Sequence, residues 1–394
     1  MFDRDVGQPE ERRRFQNVPD LPDNEILSQM RDLAAQEGFE VAGALPIGDL
    51  APNHFDAWLA QGFAGNMDYM GRYREQRNDP SKYFAPFLSV VSFILPYDST
   101  PPSASPEIGN IARYALGDDY HLVIKKKLFR IIDALKALDP NLEARALVDT
   151  APLLEKVAAE RGGLGWQGKH SNVIREGKGS WFFLAEILVN RPLETDLTST
   201  DRCGICDDCI EACPTRAITA PYVVDSRLCI SYLTIELRGI MPRELRGLIG
   251  NRIFGCDDCQ EVCPWNRLAA LPAIEEFEPR AGLRDRTLTE WLEQTLEEWR
   301  LTFSKSAVKR TKFDGFKRNV AVAIGNHGAD AYVEPIRDAL AVAAPVVRAH
   351  LIWALRKIDS QPATTLLREW QAMETDPEVL CEFQGDVDSP LAAK

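Results

Sequence analysis

Eight of the nine cysteines fall between Cys203 and Cys263. The run Cys203-Gly-Ile-Cys206-Asp-Asp-Cys209-Ile-Glu-Ala-Cys213-Pro214 has the C-x2-C-x2-C-x3-C-P spacing of two-cluster ferredoxins. A lone Cys229 follows, and then Cys256-Asp-Asp-Cys259-Gln-Glu-Val-Cys263-Pro264. Three closely spaced thiolates can face one cubane, while the fourth leaves the turn through proline and reaches the other. This places one [4Fe-4S] cluster on Cys203, Cys206, Cys209 and Cys263, and a second on Cys213, Cys229, Cys256 and Cys259. Cys229 stands in for the cysteine that the second run lacks. Structural zinc is the alternative, but it would need two all-cysteine sites, and zinc motifs seldom carry a third Cys at this spacing and a fourth before proline. A disulfide framework suits short secreted chains, and nothing marks this chain as one.

Two cubanes provide one-electron transfer and leave the acceptor open. No Gly-rich dinucleotide fingerprint precedes them. Asp119-Tyr120-His121 begins the Asp-x-His-x-x-Gly pattern of one kind of cobalamin site, but Ile124 stands where the glycine should be. Asp149 lies at the end of an expected strand, where sites gather in α/β folds. Its plainer reading is a cap of the next helix. The chain has 394 residues, 45% of them hydrophobic, and a formal charge of −13, so no global field draws in nucleic acid. A local basic run does exist: Lys305, Lys309, Arg310, Lys312, Lys317 and Arg318. It is either a phosphate-backbone contact or an exposed linker. Arg12-Arg13-Arg14-Phe15 resembles a twin-arginine core, yet no apolar segment follows it, so a solvated tail is expected.

The elements that must position these groups follow from periodicity. A helix is expected from Asn24 to Gly38, with Ile26, Met30, Leu33 and Ala34 on one face. Ser89–Leu95 reads as a buried strand. A second helix follows His121, with Leu128, Ile131, Ile132, Leu135 and Leu138 on one face and Lys125, Lys126, Lys127 and Arg130 near its start. Arg145–Val148 reads as a strand, and Thr150-Ala-Pro152 as a cap and early proline of the next helix. Ser171–Arg175 and Trp181–Val189 should form a hairpin around Glu176-Gly-Lys-Gly179. The fold class expected is α+β or α/β up to residue 192, a two-cluster ferredoxin-like module over 193–270, and helices beyond. Val320, Ala323 and Ile324 recur as Leu351, Ala354 and Leu355, which suggests HEAT-like repeats over 271–385. Residues 1–22 and 386–394 are expected as tails. Cys381 lies outside the cluster pattern and reads as a small hydrophobe.

Several segments together resemble epoxyqueuosine reductases: Val148-Asp149-Thr150-Ala-Pro152, Gly165-Trp166-Gln-Gly168-Lys169, Cys229-Ile-Ser231-Tyr-Leu-Thr234-Ile-Glu236, and Gly250-Asn251-Arg252-Ile-Phe-Gly255-Cys256. Ile111-Ala-Arg113-Tyr114 and Arg318-Asn319-Val320-Ala321 fit as well. The resemblance spans roughly residues 25–370. It implies a cobalamin held in the 23–192 domain without a lower-face histidine, beside the two clusters. The substrate implied is tRNA carrying epoxyqueuosine, whose epoxide is reduced to the alkene in the last step of queuosine synthesis. It further implies Asp149 as proton donor, and Arg72, Tyr114, Asp149, Asn172 and Thr234 as cobalamin contacts. An external donor such as a ferredoxin or flavodoxin, a cytoplasmic setting, a monomer and no membrane contact complete the expectation. A cobalamin-dependent reductive dehalogenase, a ferredoxin-like carrier and an RNA-binding scaffold with structural clusters are the competing readings.

Overall fold

Eight consecutive buried residues, Ser89–Pro96, form the strand around which the N-terminal half is built. The computed structural model describes residues 21–50, 54–97, 105–195, 199–267, 269 and 274–389. The twin-arginine-like segment and most of both expected tails lie outside the described residues. In chain order, the elements of this half are α1 (Asp23–Gln36), β1 (Glu40–Pro46), β2 (Ser89–Pro96), α2 (Tyr120–Leu138), β3 (Ala144–Leu147), α3 (Glu155–Arg161) and β4 (Phe182–Val189). The sheet order is β1-β2-β4-β3, and every neighbouring pair is antiparallel. The half is therefore α+β, not a parallel α/β unit. The central strands are apolar on both faces because both faces are covered. Ile26, Met30, Leu128 and Ile132 of α1 and α2 pack against Val91, Phe93 and Ile187. On the opposite face, α3 brings Ala158 and Ala159 against Val90 and Ile94.

Local expectations fail where tertiary pairing decides. The hairpin is not formed as expected. Val173–Ile174 pairs instead with Trp166–Gln167, across a turn in which Gly168 N–H donates to the Asn172 carbonyl, and β4 goes to the main sheet. A single bridge, Arg175 to Gly179, is what remains of it. Helix α3 starts at Glu155, and Thr150 does not cap it. Leu138 is 46% exposed rather than part of the α2 face. Two of the basic residues of α2 are tied to the end of α1: Lys127 donates to the Glu37 carbonyl, and Arg130 forms a forked ion pair with Glu37.

The cysteine segments alternate with single helical turns and with α4 (Ile230–Ile235), which begins directly after Cys229. Helices α5 (Lys312–His327), α6 (Val333–Leu340), α7 (Pro345–Ile358) and α8 (Gln361–Gln371) follow. Val320, Ala323 and Ile324 of α5 meet Leu351, Ala354 and Leu355 of α7 in one core. Gly325 permits the approach, since a Cβ there would lie 2.4 Å from the Trp353 ring. The same core continues through Leu233 and Ile253 of the cysteine region to Ile111, Ala115 and Leu116. Residues 386–389 belong to it structurally: Trp353 Nε1–H donates to the Val387 carbonyl, and Lys357 pairs with Asp388.

The basic run divides in two. Arg318 is fully buried and donates to the carbonyls of Leu233, Leu237 and Gly239. Lys317 is buried and donates to the Leu292 carbonyl. These two are structural and cannot meet a phosphate. Lys305, Lys309, Arg310 and Lys312 are exposed, and Arg310 is paired with Glu236. Cys381 ends the short helix Pro377–Cys381, half-buried and unbonded through sulfur.

Candidate active site

Asp149 follows β3 in a turn closed by Thr150 N–H to the Val148 carbonyl, at 2.5 Å, with φ of +51° at Asp149 itself. The turn turns its carboxylate toward the start of α2. Asp149 Oδ2 accepts from the Tyr120 hydroxyl at 2.8 Å and lies 3.4 Å from His121 Nε2. His121 Nδ1 lies 2.8 Å from Asp119 Oδ1, which also accepts the His121 N–H and so caps α2. Tyr120 is fixed by flat stacking on Phe183, 4.5 Å between centroids. Burial pulls the His121 pKa down, but hydrogen bonds to Asp119 and Asp149, and their charges, outweigh it and raise it to about 9. Burial pulls the Asp149 carboxyl up, but His121 and Tyr120 outweigh it and leave the carboxyl below its ordinary value. The proton at neutral pH therefore sits on His121, and Asp149 is ionised.

Asp149 looks into a cavity of about 570 Å³. Its carboxylate is 61% exposed there, so the cavity opens to solvent although protein surrounds the turn. Tyr97, Tyr114, Phe182 and Leu184 form aromatic and apolar walls, and Asn172 lines it too. Asn172 Oδ1 accepts from Lys156 Nζ at 3.0 Å. Cys213, Cys229, Cys256 and Cys259 line the same cavity. A second cavity of about 230 Å³ is lined by Cys203, Cys206, Cys209 and Cys263. Burial raises the Cys209 thiol to about 11, helped by the charges of Cys263, Cys203 and Cys206. Burial likewise raises Cys259, with Cys256 and Cys229 next. Among the described residues no three Cys, His, Asp or Glu side chains converge as a single-ion site. Each set of four thiols stands around a void, and a cubane is held by its corners in that way.

Of the expected cobalamin contacts, Tyr114, Asp149 and Asn172 line the large cavity. Thr234 does not. It is fully buried, donates to the Ile230 carbonyl at 2.7 Å and accepts from Gly255 N–H at 2.9 Å, which anchors the loop before Cys256. Arg72 is exposed on the short helix Asp68–Arg72 and is not in the lining either. The Arg113 motif has a structural task. Asp257, between two cysteines, accepts the Arg113 N–H at 2.9 Å, while the Arg113 guanidinium lies over Trp181 and bonds Glu261. Asn251 Nδ2 donates to the Ile108 carbonyl, and Arg252 pairs with Asp258.

His170 went unrecognised in the sequence, and it lines both cavities. Its Nδ1 accepts from Asn172 N–H, so Nε2 carries the hydrogen. Burial lowers its pKa to about 4, which keeps it neutral. Nε2 is buried without a hydrogen-bond partner. A buried donor aimed between two thiol-lined voids fits a sulfur-rich occupant and does not fit a metal ligand. Glu155 and Lys156, also missed, line the large cavity beside Asp149. The donor sets therefore fit two [4Fe-4S] clusters, and the aromatic cavity is of ligand size.

Comparison with known proteins agrees with this arrangement. Residues 202–266 match the 4Fe-4S double cluster binding domain, and residues 77–150 match a family model described as epoxyqueuosine reductase QueG, DUF1730. An epoxyqueuosine reductase of Pseudomonas aeruginosa is 40% identical over 346 residues, covering 85% of this chain and 96% of the relative. One from Leadbetterella byssophila is 44% identical over 297 residues, covering 74% and 96%. Among solved structures, an epoxyqueuosine reductase with an epoxyqueuosine-modified tRNA-Tyr stem loop superposes with a TM-score of 0.84 at 28% identity, over 92% of this chain and 97% of that one.

Proposed function

The chain belongs to the epoxyqueuosine reductase family, and from that premise we propose that it reduces the epoxide of epoxyqueuosine in tRNA to the alkene of queuosine. The reaction consumes two electrons and two protons and releases water. The observation that carries the reading is one cavity with Asp149, backed by His121, and Tyr120 on one wall and Cys213, Cys229, Cys256 and Cys259 on another. Cys203, Cys206, Cys209 and Cys263 would hold the first cluster and the other four the second. Tyr114 and Asn172 would hold a cobalamin facing Asp149. When bound, the clusters supply single electrons and the cobalamin a reducing cobalt centre; the electrons come from an external protein donor. Asp149 draws a proton from the His121 imidazolium across the 3.4 Å contact and passes it to the epoxide oxygen as the ring opens. Tyr120 holds the carboxylate toward the cavity.

The organisation proposed is a catalytic domain over 23–192, a cluster module over 193–270 and stacked HEAT-like helix pairs over 271–385. The stacking of α5 on α7 supports the last of these. Lys305, Lys309 and Lys312 are proposed as contacts to the tRNA backbone. Arg310 pairs with Glu236, just after α4, and this tie of the exposed run to the cysteine region supports the reading. Among the described residues no helix is long and apolar enough to cross a membrane.

The test is turnover of epoxide-bearing tRNA by anaerobically reconstituted protein with cobalamin and a strong reductant, read by the mass of the released nucleoside. Loss of one oxygen that depends on cobalamin is the expected result. Bound corrin and intact clusters without oxygen loss would point to a different substrate, as in a dehalogenase. No corrin bound would return the chain to an electron carrier.

A further inference from the structure

The face of the sheet beneath α3 carries an acid in its apolar middle. Glu186 is the one charged residue of β4 and is fully buried. In the ladder it stands between Ser92 of β2 and Leu147 of β3. Ser92 Oγ and both carboxylate oxygens of Glu186 lack a hydrogen-bond partner among the described residues. The row divides the packing on this face. Val90, Leu147, Leu153 and Leu188 cluster on one side of it, and Ile94, Leu164 and Phe182 on the other. Burying an unpaired acid costs stability that an apolar side chain would not. Such a residue needs a use.

Helix α3 lies across this row. Its C-terminal end touches down at Gly43, the partner of Ser92 in β1, where a Cβ would come within 2.0 Å of the Gly162 carbonyl oxygen. Its first residue, Glu155, reaches the other end, and Glu155 Oε1 accepts the Asp149 N–H. Asp149 holds a left-handed φ of +51°, which a non-glycine residue keeps only when its surroundings impose it. That bond is a second clamp on the turn that aims the carboxylate, beside the Thr150 N–H to Val148 carbonyl bond that closes it. As carboxylates, Glu155 and Glu186 offer each other no donor; with a proton on one of them they bond. Burial raises Glu155 to about 8, aided by the charge of Asp149, and raises Glu186 as well, with Glu155 the next cause. The groups that bear on this pair are Asp149, His121 and Lys156, from the β3 turn and the starts of α2 and α3.

We infer that Glu155 and Glu186 are positioning residues for Asp149: a carboxyl pair, joined by one proton, in which Glu186 backs Glu155 and Glu155 fixes the Asp149 turn. The inference rests on the reading of Asp149 as the acid. Its test uses Glu155→Leu, Glu155→Gln, Glu186→Leu and Asp149→Asn in the full chain, with two readouts. The first is amide hydrogen exchange over residues 147–154, which needs no turnover. The second is kcat and KM for epoxide-bearing tRNA with loaded enzyme. Exchange should speed up in both Leu variants. Their kcat should fall about 10- to 100-fold at unchanged KM, as misplacement of a reacting group by about 1 Å does. Glu155→Gln keeps the acceptor and should retain kcat within about threefold of wild type. Glu186→Leu removes a buried acid but strips Glu155 of its partner, so the deciding readout is exchange over 147–154 and not the melting temperature. A Glu186→Leu protein with wild-type exchange and wild-type kcat overturns the inference. So does a kcat loss that only tracks a lowered melting temperature. A fully active Asp149→Asn would instead remove the acid role of Asp149, and the exchange data would still decide whether the pair clamps the turn.

Discussion

His121 carries the charge that keeps Asp149 ionised, and this sets two expectations at the residue scale. The His121 pKa rises from 6.5 to about 9 in the folded chain. Its contribution to stability is therefore fully present below about pH 6.5 and is lost as pH climbs through about 9. His121→Gln should cost about 1–3 kcal/mol near pH 6, the upper figure being the full linkage of the shift and the lower allowing for solvent screening. Urea unfolding at several pH values checks this, and the gap between variant and wild type should close above about pH 9. Turnover should decline over the same upper range as the imidazolium is lost. Asp149→Asn should keep both clusters, corrin and tRNA affinity while turnover falls by about 10²–10⁴. Nothing in the local sequence identified His121 as the proton holder. That depends on Asp149 arriving from β3, 28 residues away along the chain.

At the scale of elements, the cysteine loops are held from behind by α5. Asn319 Nδ2 donates to the carbonyls of Thr234 and Ile253, which flank the Cys256 loop, and Arg318 holds three further carbonyls. Asn319→Leu should destabilise the protein by about 2–4 kcal/mol, since two buried carbonyls lose their donors. It should also speed iron loss to a chelator, and the two assays should move together. Unchanged iron retention with lowered stability would separate α5 from the cluster loops. Cysteine spacing was legible because each run is local, and α1, β2 and α2 were legible because one period governs each. The hairpin was misread because Val173–Ile174 found a nearer partner through a tight turn at Gly168–Ser171. Arg318 and Lys317 were misread because charge alone does not reveal the carbonyls they meet: those of Leu233, Leu237 and Gly239 for Arg318, some 80 residues earlier, and that of Leu292 for Lys317. Glu186 did leave a signal: a single acid inside the otherwise apolar Phe182–Val189 strand. Its meaning required knowing that α3 lies above it.

At the scale of the whole molecule, a net charge of −13 must still admit an RNA. The exposed part of the basic run is the surface proposed for that. Lys309→Glu with Lys312→Glu should weaken tRNA binding and lower the slope of log affinity against log salt by about one for each phosphate contact removed. Equal affinity and slope would clear the run of that role. The apolar core that joins α5 and α7 to Leu233, Ile253 and Ile111 has a further consequence, for synthesis. The ribosome finishes all eight cluster cysteines before it makes the helix that backs their loops. At about 5–20 residues per second, the stretch from Cys263 to Asn319 takes several seconds to emerge. During that interval the thiols stand open to iron carriers and to oxidants alike. The docking of Arg318 and Asn319 ends it, so the late helices act as the door that shuts behind the metal.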